Sequence, residues 1–407
     1  MIELREHQQA TVDALSEYNK GQVIVPTGGG KTMCMIKDAQ REFNSCDWDV
    51  ILKDPERKTI VIVAPRILLA HQLCEEFIEH IDVNPMLQYK VLHVHSGDTH
   101  HESTTSSDTI LQWVEDNYRF NKLIFTTYHS LHRIAQATDV LVDTIYFDEA
   151  HNSVQKNFIE AVEYHSIYSN RCYFFTATPK HSTTPYKAGM NDEDIFGKVL
   201  VNVPAPKLVN DGVILPPKVV IKEIQLPDDS RHKYEQDCDS IISTIDEIDV
   251  SKILICAKAT KQIVGLVSQT EFVNELTYRG YSWMYITSKT GAVVDGKKIG
   301  REKFFTILNE WGKDPEKKFI VMHHSILSEG ISVKGLEAAL FLRNMDYIGI
   351  SQTIGRVIRK SKDTTKTFGL VCIPCYNRVG ISTSKRVSAV VDTVFNKGLP
   401  AISIVKK

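Results

Sequence analysis

The chain is expected to adopt an α/β fold of two successive lobes, each a largely parallel sheet flanked by helices. Three observations predict this. Strand-like apolar runs alternate with helix-spaced segments from one end to the other. The alternation breaks at a proline-rich stretch, Val203-Pro204-Ala205-Pro206 to Leu215-Pro216-Pro217, and then restarts. The first lobe carries a glycine-rich phosphate loop and the second has none, which suggests that the second completes the first lobe's site. The expected boundaries are residues 1–205 for the first lobe, 206–217 for a linker and 218–407 for the second. A length of 407 residues allows about two to three domains.

The first lobe opens on Leu4-Arg5-Glu6-His7-Gln8, the start of a helix with Val12, Leu15 and Tyr18 on one face and a stop near Asn19-Lys20-Gly21. Gln8 has an amide that can donate and accept at once, which suits the N6/N7 edge of adenine. A surface glutamine is the more ordinary reading of its spacing. Next comes Val23-Ile24-Val25-Pro26-Thr27-Gly28-Gly29-Gly30-Lys31-Thr32: apolar strand, glycine turn, then a helix with Met35, Ala39 and Phe43 in step. Glycines without Cβ atoms let consecutive backbone N–H groups face one concavity and hold phosphate oxygens. Lys31 supplies a charge for the β/γ-phosphates and Thr32 a hydroxyl for Mg²⁺. Val25 stands where the strict loop pattern has its first glycine.

Thr59–Ala64 is an unbroken apolar run, as expected of a parallel strand covered on both faces. Pro65-Arg66 ends it, and a helix through Leu69, Leu73 and Phe77 follows. Tyr89–His95 reads as a strand. The polar segment Ser96–Thr109 has no periodicity and reads as a mobile loop. His93, His95, His100 and His101, with Asp98 and Glu102, lack a rigid metal-ligand spacing and are read as solvated rather than as a metal site. Leu123–Tyr128 and Thr144–Phe147 are strands, the second running into Asp148-Glu149-Ala150-His151. Ligands collect outside the carboxyl ends of strands in open α/β sheets. There Asp148 can hold Mg²⁺ through water, and Glu149 can orient or deprotonate an attacking water. Cys172–Phe175 is a further strand, ending in Thr176-Ala177-Thr178-Pro179, whose hydroxyls either sense a γ-phosphate or form a turn.

In the second lobe, strands are expected at 218–224, 252–257, 281–287, 318–322 and 336–342, with helices over 231–248, to 266, and over 301–311. Ser288-Lys289 lies at one strand tip, and Ser325–Ser332 at another. Gln352-Thr353-Ile354-Gly355-Arg356-Val357-Ile358-Arg359 places Arg356 and Arg359 three apart, so that a continuous helix presents both on one face. Such guanidiniums can stabilise charge on a transferring phosphoryl group; with Lys360, Lys362 and Lys366 they can also hold a phosphate backbone. Cys372-Ile373-Pro374-Cys375 has metal-like spacing but no partner pair, and is read as structural.

The net charge of −2 provides no global field for nucleic acid, so such binding falls to local patches. The eight cysteines are scattered and several sit in apolar runs, which suggests reduced, buried thiols. With no signal peptide and no run of about 20 apolar residues, a soluble intracellular protein is expected.

Taken in order, these segments resemble the superfamily 2 helicases of DExH (DEAH-box) type, and within them the restriction-type and phage-encoded UvsW-like recombination helicases. Thr27–Thr32 are similar to motif I, Asp148–His151 to the DEAH box, and Thr176–Thr178 to motif III. Ser328–Ser332 are similar to motif V and Gln352–Arg359 to motif VI. Leu4–Gln8 match the adenine-reading segment, Pro65-Arg66 motif Ia, and Thr126-Thr127 motif Ib. The resemblance implies two tandem RecA-like parallel-sheet lobes with an ATP cleft between them, using ATP and Mg²⁺. Arg5, Gln8, Thr27, Gly28, Gly29, Gly30, Lys31, Thr32 and Gly330 would then bind nucleotide, and Thr32 and Asp148 the magnesium. Glu149 and Gln352 would handle the attacking water, with Arg356 and Arg359 as fingers from the second lobe. Arg66, Thr127, Ser288 and Lys289 would contact a nucleic-acid backbone, DNA in preference to RNA. An RNA helicase, and the motor subunit of a restriction or defence complex, are the competing expectations. The likeness begins at the first residues, so no accessory N-terminal domain is expected.

Overall fold

The computed structural model describes residues 3–45, 57–85, 87–97, 99–224, 233–324, 335–360, 366–376 and 378–405. The chain forms two α/β units. The first comprises Met1–Val203 with Ile402–Lys407, the second Pro204–Ala401. The expected linker is therefore not a free connection. Ala205–Asn210 is a helix of the second unit, and Ile214 makes a β-bridge to Arg359. The last residues belong with the first unit, where Ser403–Ile404 pairs with Lys180–His181.

The first unit is organised on an eight-stranded sheet: β1 (Lys20–Ile24), β2 (Thr59–Ala64), β3 (Tyr89–Val94), β4 (Glu102–Ser103), β5 (Asn121–Thr127), β6 (Thr144–Phe147), β7 (Arg171–Thr176) and β9 (Val199–Asn202). Their order across the sheet is β4-β3-β5-β2-β6-β7-β1-β9, with β8 the short strand at Lys180–His181. All pairings in this sheet are parallel. The apolar runs do what their lack of alternation requires: every residue of β2, β5 and β6 is buried. Phe147 and Phe174 stack across β6 and β7 with ring centroids 4.8 Å apart.

The helix Lys31–Asn44 buries Met35, Ala39 and Phe43 as its spacing predicts. The first helix, Glu6–Glu17, stops earlier than expected, because Lys20 and Gly21 already pair with β7. Tyr18 is left exposed outside it, and His7, Gln8 and Thr11 join Val12 and Leu15 on the buried side. The Ser96–Thr109 segment is not all loop, since Glu102 and Ser103 extend the sheet beside Leu92 and His93.

The second unit holds another eight-stranded sheet: β10 (Pro217–Glu223), β11 (Lys252–Cys256), β12 (Ser282–Thr287), β13 (Gly291–Val294), β14 (Lys297–Ile299), β15 (Phe319–His323), β16 (Ala338–Phe341) and β17 (Gly369–Cys375). The order is β10-β17-β16-β11-β15-β12-β13-β14. From β10 to β12 the pairings are parallel; β12, β13 and β14 form an antiparallel meander. Its tight turn is Asp295-Gly296, both residues at positive φ, as a two-residue hairpin loop requires. No helix among the described residues is long and apolar enough to cross a membrane.

Candidate functional site

Strand order builds the site of the first unit. β7 lies between β1 and β6, so the phosphate loop after β1 and the acidic pair after β6 flank the Thr176 end of β7 at one sheet edge. Val25 extends β1 by donating its N–H to Thr176 O at 3.0 Å. The chain then turns through Gly28 (φ +89) and Gly30 (φ +84), both in the left-handed region that glycine adopts without strain. Gly30 caps the helix Lys31–Asn44, so the loop delivers its backbone N–H groups at a helix N-terminus. Lys31 Nζ folds back to Val25 O at 3.5 Å, and the Thr27 hydroxyl is buried without a hydrogen-bond partner among the described residues. An orphaned hydroxyl and a cradle floored by residues without Cβ fit a phosphate-bearing ligand.

The amino-terminal helix clamps this loop from outside. His7 Nε2 sits 2.7 Å from Gly29 O. Gln8 Nε2 donates to Gly30 O at 3.3 Å, and Gln8 Oε1 accepts from the Arg5 N–H at 3.0 Å. Gln8 is thus a buried contact of the loop rather than a surface residue, while Arg5 is exposed. A Cβ on Gly30 would stand 2.3 Å from Gln8 Nε2. Gly30→Ala is therefore expected to destabilise the fold by about 1–3 kcal/mol, mainly through backbone strain, read as a lower midpoint in urea unfolding.

The acidic pair is buried. Asp148 continues β6, its N–H bonded to Val63 O at 2.9 Å, and its carbonyl accepts from the Tyr128 hydroxyl at 2.9 Å. Burial, then the neighbouring Glu149 charge, raises the Asp148 carboxyl to about 7, with Lys31 acting in the opposite direction. A carboxylate so destabilised by its surroundings fits a dication. Glu149 is a non-glycine residue at φ +47, a strained conformation of the kind found at functional sites. Its carboxylate lies 3.5 Å from His151 Nδ1.

His151 links the acidic pair to the end of β7. Its Nδ1 is 3.2 Å from Thr176 Oγ1 and 3.5 Å from Thr178 Oγ1. Asn152 Nδ2 is 3.4 Å from its other nitrogen. His7 and Tyr128 are site neighbours that spacing did not single out, and His151 entered only through the DEAH-box resemblance; the hydroxyls of Thr176 and Thr178, read as sensors or turn formers, bond His151. Tyr128 directly follows β5, whereas His7 lies within the helix Glu6–Glu17.

Of the other expected residues, Arg66 follows β2 and Thr127 ends the neighbouring β5, where it pairs with Ala64. Arg66 is half-buried at the start of the helix Ile67–His80. Thr127 is buried, and its hydroxyl lies 3.4 Å from Ser130 Oγ. Its side chain is therefore placed for the turn rather than for solvent.

In the second unit, Ser288 and Lys289 are exposed and line an open cleft of about 730 Å³ with Lys261, Thr290 and His324. Gln352 and Arg356 are buried in the helix Tyr347–Val357. Arg356 Nη1 donates to Gln352 O at 3.1 Å, and Gln352 Nε2 is buried without a hydrogen-bond partner among the described residues. Arg359 departs from expectation. The helix ends at Val357, Ile358 is its C-cap, and Arg359 pairs with Ile214 in extended backbone. The cause is the 214–215 segment, where Leu215 N–H takes the Ile358 carbonyl at 2.8 Å. The two arginines therefore do not share a helix face. Beside Arg356, Cys256 Sγ and His323 Nε2 stand 3.3 Å apart, brought together by the β11–β15 register. Burial and then the Arg356 charge hold His323 well below the usual imidazole range, so it stays neutral. Gly330, the remaining expected nucleotide residue, lies outside the described residues together with all of Ser325–Lys334. Cys372 is buried in the middle of β17 and Cys375 ends it, and no metal-ligand cluster among the described residues includes either.

Comparison with known proteins agrees with this architecture. Residues 1–181 match the sequence family described as Type III restriction enzyme, res subunit. No curated protein sequence matches the chain. Solved structures match nearly its whole length. The ATP-dependent Type ISP restriction-modification enzyme LlaBIII bound to DNA is similar with a TM-score of 0.70 and 18% identity, over 99% of this chain and 31% of that one. A putative HsdR subunit fragment of a type I restriction enzyme from Vibrio vulnificus YJ016 gives 0.64 and 15%, over 98% and 68%. Mss116p bound to ssRNA and AMP-PNP gives 0.63 and 16%, over 99% and 75%. These likenesses show the fold: two RecA-like α/β units in succession. The chain spans about a third of the length of LlaBIII.

Proposed function

We propose that this chain is an ATP-hydrolysing nucleic-acid translocase of the superfamily 2 helicase type, acting on DNA as the motor of a restriction-type system. The observation that carries the reading is the buried Asp148–Glu149 pair held beside a phosphate loop containing Lys31, at the carboxyl edge of one parallel sheet. Lys31 and the loop N–H groups bind the phosphates, and Thr27 supplies the hydroxyl that has no partner among the described residues. Thr32 and Asp148 are the proposed magnesium residues; when bound, the ion would polarise the phosphoryl oxygens. Glu149 orients or deprotonates the attacking water, and His151 carries a change in its position to Thr176 and Thr178. Gln352, Arg356 and Arg359 are the proposed contribution of the second unit to the charge developing on the transferred group. Assignment to the DExH type rests on Asp148–His151. The UvsW-like phage grouping rests on the sequence Gly330-Ile331-Ser332-Val333-Lys334 and the string Gln352–Lys360, and the restriction-type grouping on the family matched by residues 1–181. Arg66, Ser288 and Lys289 are the proposed backbone contacts.

The test is ATP hydrolysis measured alone and with single-stranded DNA, forked DNA and RNA, at two salt concentrations. DNA is expected to stimulate turnover, less at higher salt as backbone contacts are screened. Stimulation by RNA alone would select the second reading, favoured by the likeness to Mss116p, whose structure holds ssRNA. Turnover indifferent to every nucleic acid would remove the translocase proposal.

A further inference from the structure

The histidines of the first unit, read from sequence as solvated, are not all in solvent. His93 and His95 are buried at the end of β3, and half-buried His71 reaches them from the helix Ile67–His80. One nitrogen from each of the three lies within 4.8 Å of the others. The rings are close in every pairing, with centroids 5.2 Å apart for His71–His93, 5.0 Å for His71–His95 and 5.0 Å for His93–His95. Exposed His101 is not part of this triangle; its ring stacks flat on His93 at 5.8 Å.

We propose that His71, His93 and His95 form a site for a borderline divalent transition ion, of which Zn²⁺ is the leading candidate, tying the helix Ile67–His80 to β3. Neutral imidazoles suit zinc, cobalt, nickel and copper and do not suit magnesium or calcium, which prefer oxygen. Two nitrogens bound to one zinc at about 2.0–2.1 Å stand roughly 3.0–3.4 Å apart. His93 Nδ1 and His95 Nε2 are already 3.0 Å apart. A shift of about 1–2 Å brings the third nitrogen to ligand distance. The fourth position opens on the His71 side, the least buried of the three.

The proton count closes. Without an ion, Gly97 N–H donates to His95 Nδ1 at 3.2 Å, so the His95 proton sits on Nε2 and is shared with His93 Nδ1. His93 then carries its own proton on Nε2, which is buried without a hydrogen-bond partner among the described residues. Ion binding replaces the shared hydrogen bond by two metal–nitrogen bonds, the His95 proton moves to Nδ1, and the long Gly97 contact is given up. Both rings remain neutral, with no net proton release. Burial, then the neighbouring histidines, holds His93 down to about 3 and His95, through burial and His71, to about 4, so their lone pairs are available at neutral pH.

The site's place gives it a structural consequence. His71 lies five residues after Arg66 on the same helix, and Gly97, two after His95, packs on Ile67 so closely that a Cβ there would stand 2.6 Å from Ile67 Cγ2. An ion would fix the helix start that presents Arg66. The inference does not depend on the translocase reading.

The experiment uses the full chain, tag removed and stripped of metal by chelator, titrated with Zn²⁺ by calorimetry and with Co²⁺ by visible absorption in magnesium-containing buffer. Expected are one ion per chain, a cobalt spectrum without a thiolate charge-transfer band, and a rise in melting temperature with Zn²⁺. His71→Ala, His93→Gln and His95→Gln should each weaken binding tenfold or more and remove the thermal shift, while His101→Gln keeps both. Should a buried variant fail to fold, His71→Ala decides alone. Absence of stoichiometric binding, or Zn²⁺ affinity unchanged in His71→Ala, overturns the site.

Discussion

Lys31→Ala is expected to lower the turnover of ATP hydrolysis by roughly 10²–10³-fold, the scale for removing one charged stabiliser of a transferring group. The fold should survive, because among the described residues the lysine side chain makes one 3.5 Å bond, to the Val25 carbonyl, while the loop is held by Gly29 N–H to Pro26 O at 3.0 Å and by the His7 and Gln8 contacts. A second readout separates loss of charge from loss of shape. Lys31 pulls the Asp148 carboxyl down, so its removal should move the acid limb of any residual activity to higher pH. Wild-type turnover in Lys31→Ala, measured with the stimulating nucleic acid present, would end the assignment of this loop to the β/γ-phosphates.

Asp148→Asn should change stability and activity in opposite directions. The folded-state pKa of about 7 lies above the ordinary 3.8, so the folded chain holds this proton more tightly than the unfolded chain. The stability this supplies is fully present below about pH 4 and is lost as pH rises through about 7. Above that, the native state carries a buried carboxylate beside Glu149 that the asparagine lacks. The variant should therefore melt several degrees above the parent at pH 8 in the absence of nucleotide, with the difference vanishing near pH 4. Mg²⁺ with a nucleotide should reverse the ranking, since only the parent binds the ion through a charge. Hydrolysis should fall by about 10²-fold or more. Equal melting temperatures at pH 8 would show that the carboxyl is not strained by its site.

Much of this site was legible because its chemistry is local in the chain. Three consecutive glycines before Lys31 need no tertiary information to be read as a turn that faces backbone N–H groups inward. The same holds for an acidic pair at the end of the apolar run Thr144–Phe147. The Asp295-Gly296 hairpin carries a turn signal of its own, but β13 and β14 are too short to stand out from the strand–helix alternation. The burial of Gln8 was not legible, because its spacing is that of a surface residue. Its burial comes from the loop at Gly30, twenty-two positions away. Arg359 misled for a similar reason, since helical spacing continues through Ile358 while the backbone is captured by Ile214.

The sequence by itself determined most strands of the two sheets, where the glycine turn and the acidic pair lie along the chain, and that there are two α/β units. Those features follow from apolar periodicity and from backbone freedom at glycine, both properties of a few consecutive residues. Only the tertiary structure decided that β7 separates the phosphate loop from the acidic pair, that His151 bridges to Thr176, and that His71 meets His93 and His95. These depend on strand order and on contacts between residues more than twenty positions apart, for which a single chain of letters holds no distance.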